Sequence, residues 1–334
     1  MDAPVEARTA CPNEAGLCLC HTLERLLQQA VGTPVKVSGL RRRPSRFATL
    51  FPAEVWSVEL AGGGELSLFV KHLGQEQADH PDKQCRDREK RVYEELFGDE
   101  DFPAPRYYGS RRNEATGRLE LFLEYVADWS LRYQSLEHWF TAARHLARLH
   151  AYFAGRVGKL LACDFLLRFD ARYLLDWAGR ALAAVGEQSA DLAAELVRVV
   201  DRYDRVCGVL VRQPLTLVHN DPAPKNVLAD RSRDPARICF VDWEMAGIGC
   251  GLMDLVHLKY GLGPADDDQM CSAYATELAG TGLLPSDPRE LSSLFAACEV
   301  HQTVYRLAFA KAWRLPPARV AQWVAEARDW VERV

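Results

Sequence analysis

The chain of 334 residues carries a net charge of −5, with 48% hydrophobic and 26% charged residues. This length suits two domains that share an interface, and the composition is that of an ordinary globular protein. The negative charge excludes a general nucleic-acid binder, because such proteins need a basic face that releases counterions from phosphates. The only dense basic run is Arg41 to Arg43 with Arg46.

No segment reaches the roughly 20 continuous apolar residues of a membrane helix, and the N-terminus lacks a basic start followed by an apolar run. We therefore expect a cytoplasmic protein with no membrane partner. The ten cysteines are scattered, many of them in apolar runs, which indicates buried thiols of a reducing compartment. The spacing of Cys11, Cys18, Cys20 and His21 is not that of a standard zinc site, and residues 18–27 predict an amphipathic helix instead.

Strand-like patterns dominate residues 35–126. Residues 54–60 and 65–73 flank the glycine-rich segment 61–64, which predicts a β-hairpin. One helix interrupts this region over residues 85–98, with Gly98 as its C-terminal stop, and residues 117–126 form a last strand.

Helical periodicity takes over after Ser130. Short strand candidates interrupt it, and the second and third of them are close enough to pair as a hairpin. We expect an α+β fold, with a small antiparallel-sheet lobe containing one helix and a large, mainly helical lobe. The predicted helices are 135–155, 190–211 and the tail 288–334, and the strand candidates are 215–219, 226–230 and 236–242.

Polar side chains crowd the loop "HNDPAPKN" between the first two of these strands. Asp221 and Asn226 lie at strand ends, and Asp242 ends the third strand. If the hairpin forms, three hard oxygen donors converge, and such donors suit Mg²⁺ completed by phosphate oxygens. Pro222 and Pro224 restrict the backbone between them and favour a fixed loop.

The pattern H-x-D-x-x-x-x-N, followed by a strand-terminal Asp, resembles the aminoglycoside phosphotransferase and choline kinase family of kinase-like phosphotransferases. "HND" stands where protein kinases have HRD, and "DWE" stands where they have DFG. Lys71 in "LFVKHL", Glu89 in "DREKRVYEEL", Glu124 in "LFLEYV" and the segment 146–151 follow the family's order. The resemblance implies a bilobal protein-kinase-like fold, with a nucleotide-binding lobe 1–123, a hinge 124–129 and a helical lobe 130–334 that carries the acceptor site.

The resemblance also implies a reaction, namely ATP-dependent transfer of the γ-phosphoryl group to a hydroxyl of an amino sugar, amino alcohol or related metabolite. Asp221 matches the family's catalytic base, and Asn226 and Asp242 match its Mg²⁺ ligands. Lys71 would neutralise phosphate charge and Glu89 would hold it, while Glu124 would lie at the hinge beside the nucleotide base. His219 and Asp254 are expected to brace the catalytic loop. ATP and GTP are not distinguished as donors, and the oligomeric state stays open.

Several residues depart from the pattern. No GxGxxG lies between the first two strands, so the backbone N–H groups there, with Ser45, Thr49 and Arg46, would have to cover the phosphates. A solvated basic turn is the alternative for Arg41 and Arg42. The roles of Lys225 and Glu244 stay open. The segment "GIGCG" at 247–251 is not a dinucleotide loop, because the preceding strand ends in Asp-Trp-Glu.

The acceptor is harder to predict. Acidic and aromatic residues of the helical half could bind a cation, or they could be ordinary surface carboxylates and core rings. These candidates are Asp164, Asp170, Asp176, Trp177, Glu299 and Tyr305. Two other functions compete with a small-molecule kinase. A protein Ser/Thr kinase is disfavoured by the absence of an APE-like segment and of room for an activation loop, and an inactive nucleotide-binding scaffold is disfavoured by the intact site residues.

Overall fold

The structure is a computed structural model that describes residues 7–9, 14–46, 51–74, 80–98, 102–126 and 130–334. Its strands are β1 (Ala7–Thr9), β2 (Val37–Pro44), β3 (Ala53–Leu60), β4 (Glu65–Leu73), β5 (Tyr107–Arg112), β6 (Leu119–Glu124), β7 (Leu167–Arg168), β8 (Leu215–Val218), β9 (Val227–Asp230), β10 (Arg237–Phe240) and β11 (Gly247–Cys250). Its helices are α1 (Glu14–Val31), α2 (Arg88–Arg91), α3 (Leu136–Ala154), α4 (Val157–Ala162), α5 (Ala171–Gly186), α6 (Ala190–Val200), α7 (Tyr203–Val211), α8 (Leu252–Leu258), α9 (Pro264–Glu277), α10 (Pro288–Leu307) and α11 (Pro317–Val331).

The described residues divide into two compact units. One comprises Met1–Trp129 and Leu228–Glu244, and the other comprises Ser130–Val227 and Met245–Val334. The first is built on an antiparallel sheet and the second is mainly helical, so the expected α+β fold is confirmed. None of the helices in the described ranges is long and apolar enough to cross a membrane.

In the part of the chain that is described, the main sheet has six strands in the order β1-β2-β3-β4-β6-β5. β4 lies between β3 and β6, with Lys71 opposite Ala53 on one side and Leu121 on the other. Leu68 and Val70 pack with buried leucines of α1 on one face. Because side chains alternate along a strand, Lys71 projects from the opposite face, where the site described below lies.

The helix predicted over residues 85–98 forms, but with a different geometry. α2 gives way to a π-helical segment, Val92–Phe97, which ends at Gly98 in a left-handed conformation with φ 53°. The wider π turn buries four side chains of one surface, Val92, Tyr93, Leu96 and Phe97. Spacings of three and four residues in the sequence did not distinguish this segment from an α-helix.

The predicted hairpin forms from β9 and β10, but its residues Leu228–Glu244 pack with the first unit. The Phe240 N–H donates to the carbonyl oxygen of Pro103 at 2.7 Å. The Trp243 ring meets the Phe97 ring edge-on at 4.8 Å. The sequence predicts this hairpin within the lobe 130–334, but its contacts with residues distant in sequence place it in the first unit.

In the helical unit, α3 buries its predicted apolar stripe from Trp139 to Phe153. The single helix expected over 190–211 is instead two helices, α6 and α7, because the backbone of Arg202 leaves the helical region with φ −106° and ψ 1°. The break sends α6 against α5 and α11, and α7 against α10.

Glycine explains the "GIGCG" segment. Gly247–Cys250 is strand β11, which pairs antiparallel with β8 and parallel with β7. A Cβ on Gly247 would lie 2.5 Å from the Phe169 ring, and one on Gly249 would lie 2.7 Å from it. The glycines therefore serve close packing, and the prediction that this is not a dinucleotide loop is confirmed.

Seven cysteines of the described residues are free, namely Cys85, Cys163, Cys207, Cys239, Cys250, Cys271 and Cys298. Cys20 is disulfide-bonded, so the expectation of thiols throughout is wrong there. Cys11 lies outside the described residues. Within those residues, no group of three or more His, Cys, Asp or Glu side chains is arranged to hold a metal ion.

Candidate active site

Lys71 is the centre of a buried charge cluster in the first unit. Its ammonium nitrogen lies 2.6 Å from Glu89 Oε2 and 2.5 Å from Asp242 Oδ1. Glu89 comes from α2 and Asp242 from the end of the β9–β10 hairpin, so three separate segments meet at one cation. The pairing of Lys71 with Glu89 that the resemblance implied is present in the structure.

Electrostatics keep Lys71 charged. Burial alone would lower the pKa of Lys71, but the carboxylates of Asp242, Glu89 and Glu244 outweigh it, and the pKa is raised. Burial is the main cause that raises the pKa of Glu89 to about 7. The charge of Lys71 opposes this rise, whereas the negative charges of Asp242 and Glu244 add to it. The ammonium therefore carries a fixed positive charge among carboxylates.

Glu244 extends the cluster toward a second lysine. Lys83 donates a hydrogen bond to Glu244 Oε1, and Lys71 lies 3.8 Å from Glu244 Oε2. The buried Arg88 guanidinium donates to the backbone oxygen of Glu244 at 2.6 Å. Glu244 thus connects two lysines and an arginine of the first unit. Lys83 was missed, because nothing local in its sequence marks it.

The backbone at Asp242 is strained. Asp242 has φ 71°, a region that residues with a Cβ rarely occupy. The adjacent Trp243 is fully buried, and its indole N–H donates to the carbonyl oxygen of Phe240 at 3.0 Å. This bond closes the turn after β10 and holds Asp242 in the conformation that presents it to Lys71.

The loop 219–226 of the second unit, which is the predicted catalytic loop, is held by Asp254 on α8. Its two carboxylate oxygens accept from the backbone N–H groups of His219, at 2.6 Å, and Asn220, at 2.9 Å. His150 Nε2 lies 3.3 Å from the same carboxylate. The His219 ring accepts from the N–H of Asp221 at 3.3 Å. The predicted bracing roles of Asp254 and His219 are confirmed.

Asp221 has three side-chain neighbours in this loop region. The amide nitrogen of Asn226 donates to Asp221 Oδ2 and to its backbone oxygen, each at 2.9 Å. Lys225 Nζ lies 3.4 Å from Oδ2, on a side chain that is 53% exposed. His257 Nε2 lies 3.5 Å from Oδ1. Lys225 therefore faces Asp221 from solvent.

His257 is a neighbour of Asp221 that sequence reasoning missed. Burial is the main reason that the pKa of His257 is lowered to about 4, and the nearby Arg306 lowers it as well. The ring is therefore neutral at pH 7. The only sequence signal was its position three residues after Asp254 on the same helix, a spacing that places both on one face.

The model of the phosphotransferase enzyme family matches residues 53–291 of the chain. The chain belongs to this phosphotransferase family. The match runs from β3 through α2, the catalytic loop and the hairpin to the beginning of α10. A comparison with curated proteins returned no match.

Solved structures of similar fold include several kinases. A microcompartment-associated aminopropanol kinase superposes with a TM-score of 0.58 at 17% identity, covering 84% of this chain and 87% of that chain. A choline kinase from Cryptosporidium parvum gives 0.53 at 15%, covering 88% and 87%. A structure from Ralstonia eutropha that carries the name of an aminoglycoside phosphotransferase gives 0.57 at 14%, covering 94% and 96%. At these identities the likeness shows the fold of the phosphotransferase family and nothing finer.

Glu124, expected at the family's hinge, has its carboxylate engaged. Arg237 Nη1 donates to both oxygens, at 2.7 and 2.9 Å, and the Arg106 N–H donates to one at 3.0 Å. Burial raises the pKa of Glu124, but the bonds from Arg237 and Arg106 outweigh it and the net pKa is lowered. The side chain thus fastens the hairpin to the sheet of the same unit. Its nucleotide contact stays a prediction, and residues 127–129 of the expected hinge lie outside the described residues.

The basic run belongs mostly to strand β2 rather than to a loop. Arg41 pairs with Glu65, and Arg42 pairs with Glu54 at 2.6 Å. Neither the phosphate loop nor the solvated turn describes these two arginines, because cross-strand acids neutralise them. Ser45 and Arg46 follow the strand, and their phosphate contacts stay a prediction. Thr49 lies outside the described residues.

The candidate cation-binding residues of the helical unit are largely occupied. Trp177 and Tyr305 pack on each other with ring centroids 4.4 Å apart. Glu299 accepts from Lys259 at 2.6 Å, and Asp170 caps α5 by accepting from the Tyr173 N–H. Asp164 and Asp176 are exposed. These contacts match the alternative of core rings and paired or exposed carboxylates.

Proposed function

We propose that the protein is an ATP-dependent kinase that phosphorylates a hydroxyl group of a small molecule such as an amino alcohol or amino sugar. The observation that carries this proposal is the position of Lys71, bonded at once to Glu89 and to Asp242. A strand lysine paired with a helix glutamate, beside the metal-binding aspartate, is the arrangement with which kinases hold nucleotide phosphates. In a phosphotransferase, binding phosphate oxygens is the simplest role for a lysine that stays charged among carboxylates.

The side chains fit a magnesium ion. Asn226 is buried, and its amide nitrogen is committed to Asp221, so its amide oxygen is the end that can face a cation. Asp242 supplies a carboxylate, and hard oxygen donors are those that Mg²⁺ prefers. We assign Asn226 and Asp242 as its ligands. Bound Mg²⁺ would supply charge neutralisation for the phosphate oxygens.

Asp221 is the proposed catalytic base. The acceptor oxygen forms a bond to the γ-phosphorus as the bond to the β-phosphate oxygen breaks, and the hydroxyl proton passes to Asp221. The products are ADP and the phosphorylated acceptor. Asn226 orients the base through two hydrogen bonds, and neutral His257 places no positive charge beside it. Alignment and charge stabilisation supply most of the acceleration of phosphoryl transfer. An ATP-consuming reaction also agrees with the expected cytoplasmic location.

Two measurements test the function. Mg²⁺ with ATP should raise the melting temperature of the wild-type protein. Asp221→Asn should keep that shift and lose at least about 100-fold in turnover, the usual contribution of a general base. Asp176→Asn, an exposed carboxylate of the same unit, is the matched control and should leave both unchanged. A folded wild-type protein that Mg²⁺ and ATP do not stabilise would remove the proposal.

The acceptor requires a screen of amino sugars, amino alcohols and nucleosides with Mg²⁺ and ATP. Turnover of any of them supports a small-molecule kinase. Stabilisation by Mg²⁺ and ATP without turnover of any acceptor, protein substrates included, favours the nucleotide-binding scaffold. Turnover confined to protein substrates favours the Ser/Thr kinase.

A further inference from the structure

A buried arginine in the helical unit has an unsatisfied donor. Arg306, on α10, is only 8% exposed, and its Nη2 atom is buried with no hydrogen-bond partner among the described residues. Its guanidinium carbon lies 3.5 Å above the centre of the Tyr260 ring. Stacking satisfies the face of the guanidinium but none of its N–H groups, which point outward in the plane.

The neighbouring Lys259 shows what a satisfied buried cation looks like in this unit. Lys259 is as buried as Arg306, yet its ammonium donates to Asp267 at 2.8 Å and to Glu299 at 2.6 Å. The charge of Glu299 acts on Arg306 by raising its pKa, but the Glu299 carboxylate accepts a hydrogen bond from Lys259 instead. Burial lowers the pKa of Arg306 to about 10. A desolvated charge without a hydrogen-bonded partner is costly, and such perturbed charges cluster at functional sites.

The arginine lies close to the proposed base. Tyr260 follows α8, and its N–H donates to the carbonyl oxygen of His257 at 3.4 Å, so the two residues share one turn of chain. His257 lies 3.5 Å from Asp221 Oδ1. Burial lowers the pKa of His257, and the charge of Arg306 lowers it as well. Asp221, His257, Tyr260 and Arg306 thus form one continuous series of contacts within the helical unit.

We propose that Arg306 binds an anionic group of the acceptor, a carboxylate or a phosphate, while Asp221 receives the proton of the acceptor's hydroxyl. Among the acceptors that the proposed function allows, a small hydroxy acid or hydroxy phosphate ester is therefore preferred over an amino alcohol that has no anionic group. This inference rests on the proposed function, because it names the substrate class of the same site. The anionic group is not altered in the reaction. A guanidinium is suited to it because carboxylate and phosphate oxygens match its N–H geometry.

Acceptor pairs that differ in one anionic group test the inference. Serine and ethanolamine, threonine and 1-aminopropan-2-ol, and homoserine and 3-aminopropan-1-ol differ by a carboxylate, and glycerol 3-phosphate and glycerol differ by a phosphate. With Mg²⁺ and ATP, the anionic member of at least one pair should show a kcat/KM at least about 10-fold higher, the effect expected of a charged hydrogen bond. The preferred pair tells whether carboxylate or phosphate is bound.

Variants connect the preference to Arg306. Arg306→Met should abolish it by raising KM for the anionic member, with little change in kcat and none for the neutral member. Arg306→Lys keeps the charge and should retain part of the preference. Arg156→Met is the matched control, because Arg156 stacks on Tyr152 at 3.6 Å but is exposed, and it should change neither member.

Melting temperatures give a readout that needs neither turnover nor a variant's activity. Without nucleotide, the anionic member of at least one pair should stabilise wild-type protein more than its neutral partner, and this difference should vanish in Arg306→Met. Equal or better performance by the neutral members in every pair, in turnover and in melting temperature, overturns the inference. If Mg²⁺ and ATP do not bind, the proposed function fails, while the melting comparison still reports on Arg306.

Discussion

Replacing Asp254 with Asn should disturb the catalytic loop without changing the size of the side chain. The carboxylate accepts from the backbone N–H groups of His219 and Asn220, one on each oxygen. Asn can offer only one oxygen, and its NH₂ group would face the other N–H, donor against donor. Asn220 has φ 67°, so the loop has little freedom to relax.

The magnitude follows from the contacts that are lost. One buried N–H left without an acceptor costs about 1–3 kcal/mol. The remaining bond also loses its charge, since hydrogen bonds to ionised groups are roughly twice as strong as neutral ones. Burial raises the pKa of Asp254, but the bonds and charge from His150 and the backbone of His219 outweigh it and the pKa is lowered, so the native side chain is ionised. We expect a loss of about 3 kcal/mol in the free energy of unfolding.

Urea denaturation at pH 7 measures this loss, with Asp170→Asn as the matched control. Asp170 also accepts from a backbone N–H, that of Tyr173 at 2.8 Å, but at an exposed helix start where Asn caps equally well. The control should change stability by less than about 0.5 kcal/mol. Turnover should fall in Asp254→Asn, because Asp221 follows the displaced segment, whereas Mg²⁺ and ATP should still stabilise the protein. Equal losses in the two variants would show that Asp254 does not hold the loop.

Two further predictions concern buried histidines. His301 Nδ1 and the Tyr203 hydroxyl oxygen share a hydrogen bond at 2.7 Å, and burial lowers the pKa of His301 from its ordinary value of 6.5 to about 4. A folded pKa below the unfolded one means that stability is lost as pH falls through the window from 6.5 to about 4. Between pH 7 and pH 5, the free energy of unfolding of His301→Gln should therefore fall by about 2 kcal/mol less than that of wild type, as measured by urea denaturation. An equal fall in the two proteins would contradict the assignment of a neutral ring. Gly251→Ala would place a Cβ 2.6 Å from His150 Nδ1 and should cost about 1–3 kcal/mol with reduced turnover. Gly208→Ala in α7 meets nothing within 4 Å and should instead stabilise by about 1 kcal/mol, so a loss at Gly208 would refute the steric reason.

Hydrophobic spacing and turn residues predicted the elements whose structure depends on the local sequence. The hairpin of β3 and β4, the buried stripe of α3 and the strands around the catalytic loop all followed from spacing and turn residues. The break between α6 and α7 did not, because the stripe of buried residues continues across it. The π-helical segment Val92–Phe97 escaped for a similar reason, since its spacing of buried residues also fits an α-helix. In both places tertiary packing decides the backbone.

Some residues of the candidate site are marked by the sequence, and others are not. The sequence predicts Asp221 and Asn226 from one short loop, Asp242 from the end of the strand that follows, and Lys71 and Glu89 from the family's order. Contacts between distant segments have no such signal. Lys83 bonds Glu244 across 161 residues, and Arg237 bonds Glu124 across 113 residues. Pairings at that separation depend on the folded topology and not on any spacing that a single sequence displays.

The arginines show the same difference between closeness in the sequence and contacts in the folded protein. Adjacent charges make the run Arg41 to Arg43 look like a phosphate-binding patch in the sequence. In the structure, Arg41 and Arg42 each pair with a carboxylate across the sheet. Arg306 stands alone in the sequence, and its buried Nη2 has no hydrogen-bond partner in the part of the chain that the structure describes. A charge is available to a ligand when it is desolvated and its donors are unpaired, whatever the local density of like residues. An acceptor site is therefore better sought at such a guanidinium than along a basic run, and the contrast between Arg306→Met and Arg156→Met measures that difference.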